Sequence, residues 1–172
     1  MKALLITLLM TLSLAVNAQE MEDIMNIQET ITNVFVNSDS SNWSGVEAQF
    51  SAKVTLDYSS MTGNPAVEVS PTEISGSWKT VLPGFTHTHH QIGNFITTVN
   101  GNTAHSFCYG TATHYLEDPD GSIWTVVGSY DFDLKKTEEG WKITAMTFNY
   151  KYQDGNGRLI EKAIENVKTP NK

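Results

Sequence analysis

The sequence predicts an α+β protein in which a curved antiparallel sheet wraps round N-terminal helices to form a cone with an internal pocket. Three observations carry this prediction. Apolar residues recur at helical spacing through the first part of the chain. From Phe85 onward, four long β-branched and aromatic segments follow one another through short turns, the pattern of an α+β domain. Gly93, Gly110 and Gly128 interrupt three of those segments in their middles, where glycine marks bulges or bends. Bends in neighbouring strands curve a sheet, and helices closing one side leave a pocket, the default ligand site.

Each element has a local reason. Glu20 to Asn37 places Ile24, Ile27, Ile31, Val34 and Phe35 on one face of a helix. Asn42 to Phe50 reads as a second, short helix with Trp43, Val46 and Phe50 on one side. Lys53 to Tyr58 alternates as a strand does, and Ser59 to Val69, with Gly63-Asn64-Pro65, reads as a loop. At Ser70-Pro71-Thr72-Glu73 a helix starts: Ser caps it, Pro takes the first helical position and Glu closes a capping box. It runs through Trp78 and stops before Pro83-Gly84. Strands are expected over Phe85 to Val99, Thr103 to Glu117, Ile123 to Thr137 and Trp141 to Gln153. Asn100-Gly101-Asn102, Asp118-Pro119-Asp120-Gly121 and Glu138-Glu139-Gly140 join them as antiparallel hairpins. Arg158 to Val167 is expected to form a last helix.

Lys2, the apolar run Ala3 to Val16 and the small-residue site Val16-Asn17-Ala18 make the pattern of a secretory signal peptide. Residues 1–18 are therefore expected to be removed and the chain exported, to the periplasm or outside the cell. The run is too short for a membrane span. Residues 19–168 read as a single domain and 169–172 as a loose tail. Cys108 is the only cysteine, so no intramolecular disulfide forms and stability rests on packing. A net charge of −8 without a basic stripe argues against nucleic acid and against anionic membrane surfaces. There is no glycine-rich phosphate loop and no Ser-His-Asp pattern, so neither a cofactor nor covalent catalysis is expected.

Two imidazoles meeting across neighbouring strands would form an acid/base centre near neutral pH, and His90 and His114 are the candidates. If the loop between their strands is Gly101 to Thr103, Asn100 pairs with Ala104 and His90 falls opposite His114 on one face. A shorter turn puts them on opposite faces unless a bulge restores the parity. Ile92, Asn94 and Ile96 share the parity of His90, and Ala112, Gly110, Cys108, Ser106 and Ala104 that of His114. Together they make a small, apolar wall. The competing reading makes both histidines half-buried strand residues held by hydrogen bonds. His87-Thr88-His89 has chelating spacing, but no third ligand is placed and no metal is assigned.

Tyr58 either donates to a carbonyl or developing enolate, or is core with its hydroxyl at the rim. Asp39 either orients a histidine or caps a helix. Asn94, Cys108, Trp78, Asp131 and Ser129 are counted as pocket residues. The strand holding Ser129 and Asp131 also allows an outward position for both, and the four tryptophans, Trp78 included, read as core.

The motifs stand in a recognisable order: N-x-D-x-x-N-W, V-T-L-D-Y, the capped helix with S-W-K, P-G-F-x-x-x-H-H-x-I-G-N, A-x-H-Y-L, G-S-Y-D, G-W-K-I and Y-Q-D-G-N. From about Met21 to Asn156 the chain resembles the SnoaL-like group of the nuclear transport factor 2-like superfamily, and in particular the branch that includes scytalone dehydratase. The resemblance implies a cone with a deep apolar pocket, often as a homodimer. It implies that His90 and His114 match the histidine pair serving dehydration of a polyketide-derived alcohol. Tyr58 then matches a tyrosine that binds substrate through water, and Asp39 an aspartate that supports a histidine. Ser38 stands where the dehydratase has a second tyrosine, and Asp131 where it has an asparagine that contacts substrate.

The function expected is that of an exported, cofactor-independent lyase or isomerase acting on an apolar hydroxy-ketone or ring compound. One histidine would take a proton next to a carbonyl and the other would protonate the leaving hydroxyl. Tyr58 would polarise the carbonyl, and Asp39 would hold one imidazole in its tautomer. The alternative is a non-catalytic domain that binds an apolar small ligand.

Overall fold

The computed structural model describes residues 2–169, with side chains from residue 18 onward. The side chains of the expected leader before that point, and the tail from residue 170, lie outside the described residues. Helix α1 (Lys2–Asp39) turns Ile27, Ile31, Val34 and Phe35 to one side, all four at most 3% exposed, on the face their spacing predicts. Then come α2 (Trp43–Glu47), β1 (Phe50–Asp57), α3 (Ser59–Thr62), β2 (Val67–Val69) and α4 (Pro71–Lys79). A single 3-10 turn (Leu82–Gly84) leads into the long strands β3 (His87–Asn100), β4 (Thr103–Tyr115), β5 (Ile123–Thr137) and β6 (Gly140–Gly155), and α5 (Leu159–Lys168) ends the described fold. The capping box of α4 forms as its sequence predicts: the Ser70 hydroxyl accepts the Glu73 N–H, and the Glu73 carboxylate accepts the Ser70 N–H at 2.7 Å.

The sheet runs β2-β1-β6-β5-β4-β3 and is curved and unclosed. From β3 to β6 it is the expected meander. Three features differ from the sequence reading, the first being that the second helix ends at Glu47 and Phe50, read as its last residue, opens β1. Ser59 to Val69 is not wholly loop: it holds α3 and the short β2, whose Val69 pairs with Val54 of β1. Beyond that, β1 joins β6 in parallel, so the sheet is mostly rather than wholly antiparallel. No hairpin turn ties β1 to β6, and their relative direction is set by packing, which local sequence does not encode.

The curvature has visible causes. A Cβ at Gly110 would run into the Tyr130 ring, and one at Gly128 into the Phe148 ring. Glycine is needed there for close approach, and the ladder slips by a residue between Val127 and Gly128. Phe132, Leu134, Ile143 and Met146 fill the concave face beneath α1. Asp23 pins that helix to the sheet, accepting from Lys136 Nζ at 2.6 Å and from the Trp141 indole at 3.0 Å. Burial alone would raise the Asp23 carboxyl, but these donors outweigh it and hold the group below its ordinary range. At the wide end, Leu159 and Ala163 of α5 are fully buried, and Asn166 donates to the Gly84 carbonyl at 3.0 Å.

Candidate functional site

Register decides which side chains meet. The β3–β4 turn is shorter than the loop that would set His90 directly opposite His114, because Asn100 pairs with Thr103. That turn alone would place the two imidazoles on opposite faces. A bulge between Gly93 and Ile96 restores the parity: beyond it His90 pairs with Ala112, and Thr88 pairs with His114. The two histidines are therefore diagonal neighbours on one face. Their ring centroids are 5.9 Å apart, edge to face at 85°.

The bulge hinges on Asn94, whose φ of 57° is left-handed, while Gly93 beside it has open space around it. Asparagine tolerates that conformation better than most residues. The bulge also overturns two assignments. Asn94 is exposed rather than a pocket residue, and Ile96 is 67% exposed, because the extra residue inverts the alternation along the rest of β3.

The shared face looks into a cavity of about 140 Å³. Helix α1 contributes Phe35 and Ser38 to its wall, the end of β1 and α3 contribute Tyr58 and Met61, and α4 and the turn after it contribute Trp78, Val81 and Leu82. The sheet supplies His90, Ala112, His114, Trp124, Val126, Tyr130 and Phe148. Of the expected site residues, the cavity thus gathers His90, His114, Tyr58 and Trp78, and Asp39 lies directly behind His90.

Asp39 holds His90 twice. Its Oδ1 accepts from the His90 ring Nδ1 at 2.7 Å and its Oδ2 from the His90 backbone N–H at 2.8 Å. The Thr88 hydroxyl donates to Oδ1 at 2.8 Å. Burial would raise this carboxyl, but the His90 and Thr88 donors outweigh it and hold Asp39 below the usual carboxylate range. An ionised carboxylate can only accept, so the proton sits on Nδ1 and the lone pair of a neutral His90 is on Nε2. Phe35 stacks on the imidazole, centroids 5.5 Å apart, and fixes its plane. The Asp39 carboxylate is thus bonded to His90 and Thr88 rather than to a helix N-terminus.

His114 is a different group. Only 5% exposed, it packs between Phe85 at 4.8 Å and Trp124 at 4.7 Å. Its Nδ1 donates to the Trp124 carbonyl at 3.3 Å. Burial, and then the neighbouring His90, pull its pKa down to about 4, while the Trp124 carbonyl and Asp39 pull weakly the other way. His114 is therefore neutral at pH 7, with Nε2 as an acceptor. Tyr58 and Tyr130 are shifted in the opposite sense, burial raising both phenols, so each stays protonated and can donate.

Three further assignments change. Asp131 lies on the opposite face of β5, accepting from Asn149 Nδ2 at 2.6 Å and pairing with His105 Nε2 at 3.2 Å. Ser129 shares that outward parity, because Tyr130 and Phe132 take the inner positions between and beyond them. Cys108 is fully buried opposite Tyr130 and belongs to the core rather than the cavity wall. Burial, with the Asp131 charge adding to it, pushes its thiol up to about 12, so it is no nucleophile. Among the described residues no cluster of three or more His, Cys, Asp or Glu side chains is placed to hold a metal ion.

Sequence reasoning missed Tyr130, Phe35 and Phe148, and it placed Trp124 only in the core. Tyr130 had a signal: carrying the parity of Cys108 across the next hairpin puts Tyr130 on the inner face.

Residues 19–147 match the family model described as a SnoaL-like domain. No curated protein matches the chain. Among solved structures, a protein of Kribbella flavida is 23% identical with a TM-score of 0.77, over 83% of this chain and 99% of that one. A protein of Novosphingobium aromaticivorans, described as a candidate aromatic ring hydroxylase, is 27% identical with a TM-score of 0.70, over 83% of this chain and 97% of its own. A candidate scytalone dehydratase from the same organism is 17% identical with a TM-score of 0.65, over 81% of this chain and 89% of its own.

Proposed function

We propose that this chain, which belongs to the SnoaL-like domain family, is an exported, cofactor-independent lyase that removes water from a small, largely apolar cyclic hydroxy-ketone. One observation carries the reading: the Asp39–His90 pair, built like a general base with its orienting carboxylate, stands at the wall of an apolar cavity. His90 Nε2 takes the proton from the carbon next to the carbonyl. The Tyr58 hydroxyl donates to the carbonyl oxygen as charge develops there. The C–O bond at the neighbouring carbon then breaks, its electron pair leaves with the hydroxyl oxygen, and the proton carried by His90 completes a water molecule. A carbon–carbon double bond remains.

Asp39 stabilises the imidazolium between the two proton transfers, and His114 accepts a hydrogen bond from the substrate hydroxyl and orients it. This reverses half of the expected division of labour. A ring whose pKa is about 4 carries no proton to give at pH 7, so His114 positions and His90 does both transfers. Dehydration is also the chemistry in the description of the Novosphingobium aromaticivorans neighbour.

The test is dehydration of a β-hydroxycyclohexanone, followed by the absorbance of the conjugated enone. His90→Ala and Asp39→Asn should each lose roughly a hundredfold or more in turnover. Full activity in either variant would remove the dyad from the mechanism. Tight binding of the ketone without turnover by the intact protein would favour the binding-domain reading instead.

A further inference from the structure

Ser38 occupies the last turn of α1, immediately before Asp39. It is 3% exposed and lines the cavity. Among the described residues, its hydroxyl is the one buried side-chain polar atom with no hydrogen-bond partner in the protein. Helical serine and threonine hydroxyls satisfy themselves by bonding the carbonyl one turn back. Thr30 and Thr32 on this helix do so, to Asn26 at 2.9 Å and to Gln28 at 2.7 Å, as does Ser40 just past its end, to Val36 at 2.9 Å. Ser38 does not, although it has the same chemistry on the same helix. A buried hydroxyl left unpaired is unfavourable, and alanine would fill the place without that penalty.

We infer that Ser38 is a specificity-determining residue: its hydroxyl hydrogen-bonds an oxygen of the bound molecule, so the cavity selects an oxygenated single ring over a hydrocarbon of the same shape. The inference rests on the pocket reading proposed above and deepens it. At about 140 Å³ the cavity is close to the size at which an apolar cavity accepts one benzene ring. A ring of that size fills the apolar wall and has little reach beyond it, so its polar atoms must meet the few polar groups of the lining. Ser38 and Asp39 are consecutive on one rigid helix turn. A ligand anchored through Ser38 is therefore oriented toward His90 by a single element.

The experiment compares cyclohexanol with methylcyclohexane, which has nearly the same shape and no oxygen. Both are titrated into the intact chain and read through the imidazole NMR signals of His90 and His114. The wild type should prefer cyclohexanol. Ser38→Ala should weaken cyclohexanol by roughly three- to tenfold and leave methylcyclohexane within about twofold. The unliganded variant should melt at or above the wild-type temperature, since it loses no protein hydrogen bond. An unchanged preference, an equal loss for both ligands, or a lower melting temperature each overturns the assignment. Binding of neither ligand by the wild type sinks the pocket reading and this inference with it. A His90→Ala variant that is inactive but keeps the preference leaves Ser38 in place, as does failure of the catalytic reading alone.

Discussion

His114 packs against Phe85 and Trp124 with a second imidazole at its edge, and this surrounding has a consequence for stability as well as for chemistry. Its folded pKa of about 4 lies below the ordinary imidazole value of 6.5. Between those values the unfolded chain binds a proton that the folded chain refuses, so acid favours unfolding. Stability should therefore rise as pH climbs from about 4 to 6.5 and be flat above, with this group contributing on the order of 3 kcal/mol across the window. Asp39 acts elsewhere. Its carboxyl is held below 3.8, so its contribution is complete above that value and is lost only as pH falls further. Urea unfolding at a series of pH values separates the two groups: His114→Gln should flatten the slope between about 4 and 6.5, and an identical slope in wild type and variant would mean that another group is responsible. The identity of this residue was legible from its place in a Thr-Ala-Thr-His strand. Its protonation was not, because that depends on rings brought in from Phe85 and Trp124.

Where local chemistry is self-contained, the elements could be read directly. Ser70-Pro71-Thr72-Glu73 specifies its own capping box, and Ser70→Ala should cost about 1 kcal/mol in thermal or urea unfolding. The bounds of β5 follow from turn residues on either side. Strand β3 shows where such reading stops. Gly93 announced an irregularity, but the left-handed residue is Asn94, and a bulge one position away changes the face of every side chain beyond it. Asn94→Gly should fold as well as wild type, while Asn94→Val should lose about 1–2 kcal/mol, because a β-branched residue resists that conformation. Deleting Asn94 is the sharper test. Without the extra residue the ladder set by the Asn100–Thr103 turn runs unbroken, with Phe95 opposite Cys108 and Gly93 opposite Tyr109, so His90 keeps Ala112 as its partner and its place on the cavity face beside Asp39. Activity should stay near that of the wild type, and the His90 imidazole should report an enclosed environment by NMR as before. A deletion variant as inactive as His90→Ala would show that the bulge does more than absorb the extra residue.

At the scale of the molecule, the cone was legible because helices first and long hairpins afterwards leave few ways to bury one face of each. The parallel join of β1 to β6 was not, since no local turn encodes it, and neither was the inward or outward choice for Ser129 and Asp131, which the rings of Tyr130 and Phe132 decide by filling the inner positions. What the closed arrangement adds is a space that none of its elements contains alone: α1, α4 and the sheet each supply part of one wall. If that space is where the ligand goes, filling it should abolish binding without harming the fold. Ala112 is the place to try, because it faces His90 across the β3–β4 ladder and lines the cavity with the smallest side chain there. Forcing a large ring into a packed core costs about 1–3 kcal/mol. In Ala112→Phe the ring enters space that is already present, so the cost should stay below about 1 kcal/mol. Cyclohexanol binding should drop by more than about tenfold, as the ring takes most of the volume a single-ring ligand needs. Denaturation and ligand titration on the same sample distinguish the outcomes. A stable variant that still binds would place the ligand elsewhere, and a strongly destabilised one would mean that the wall is packed rather than open beside His90.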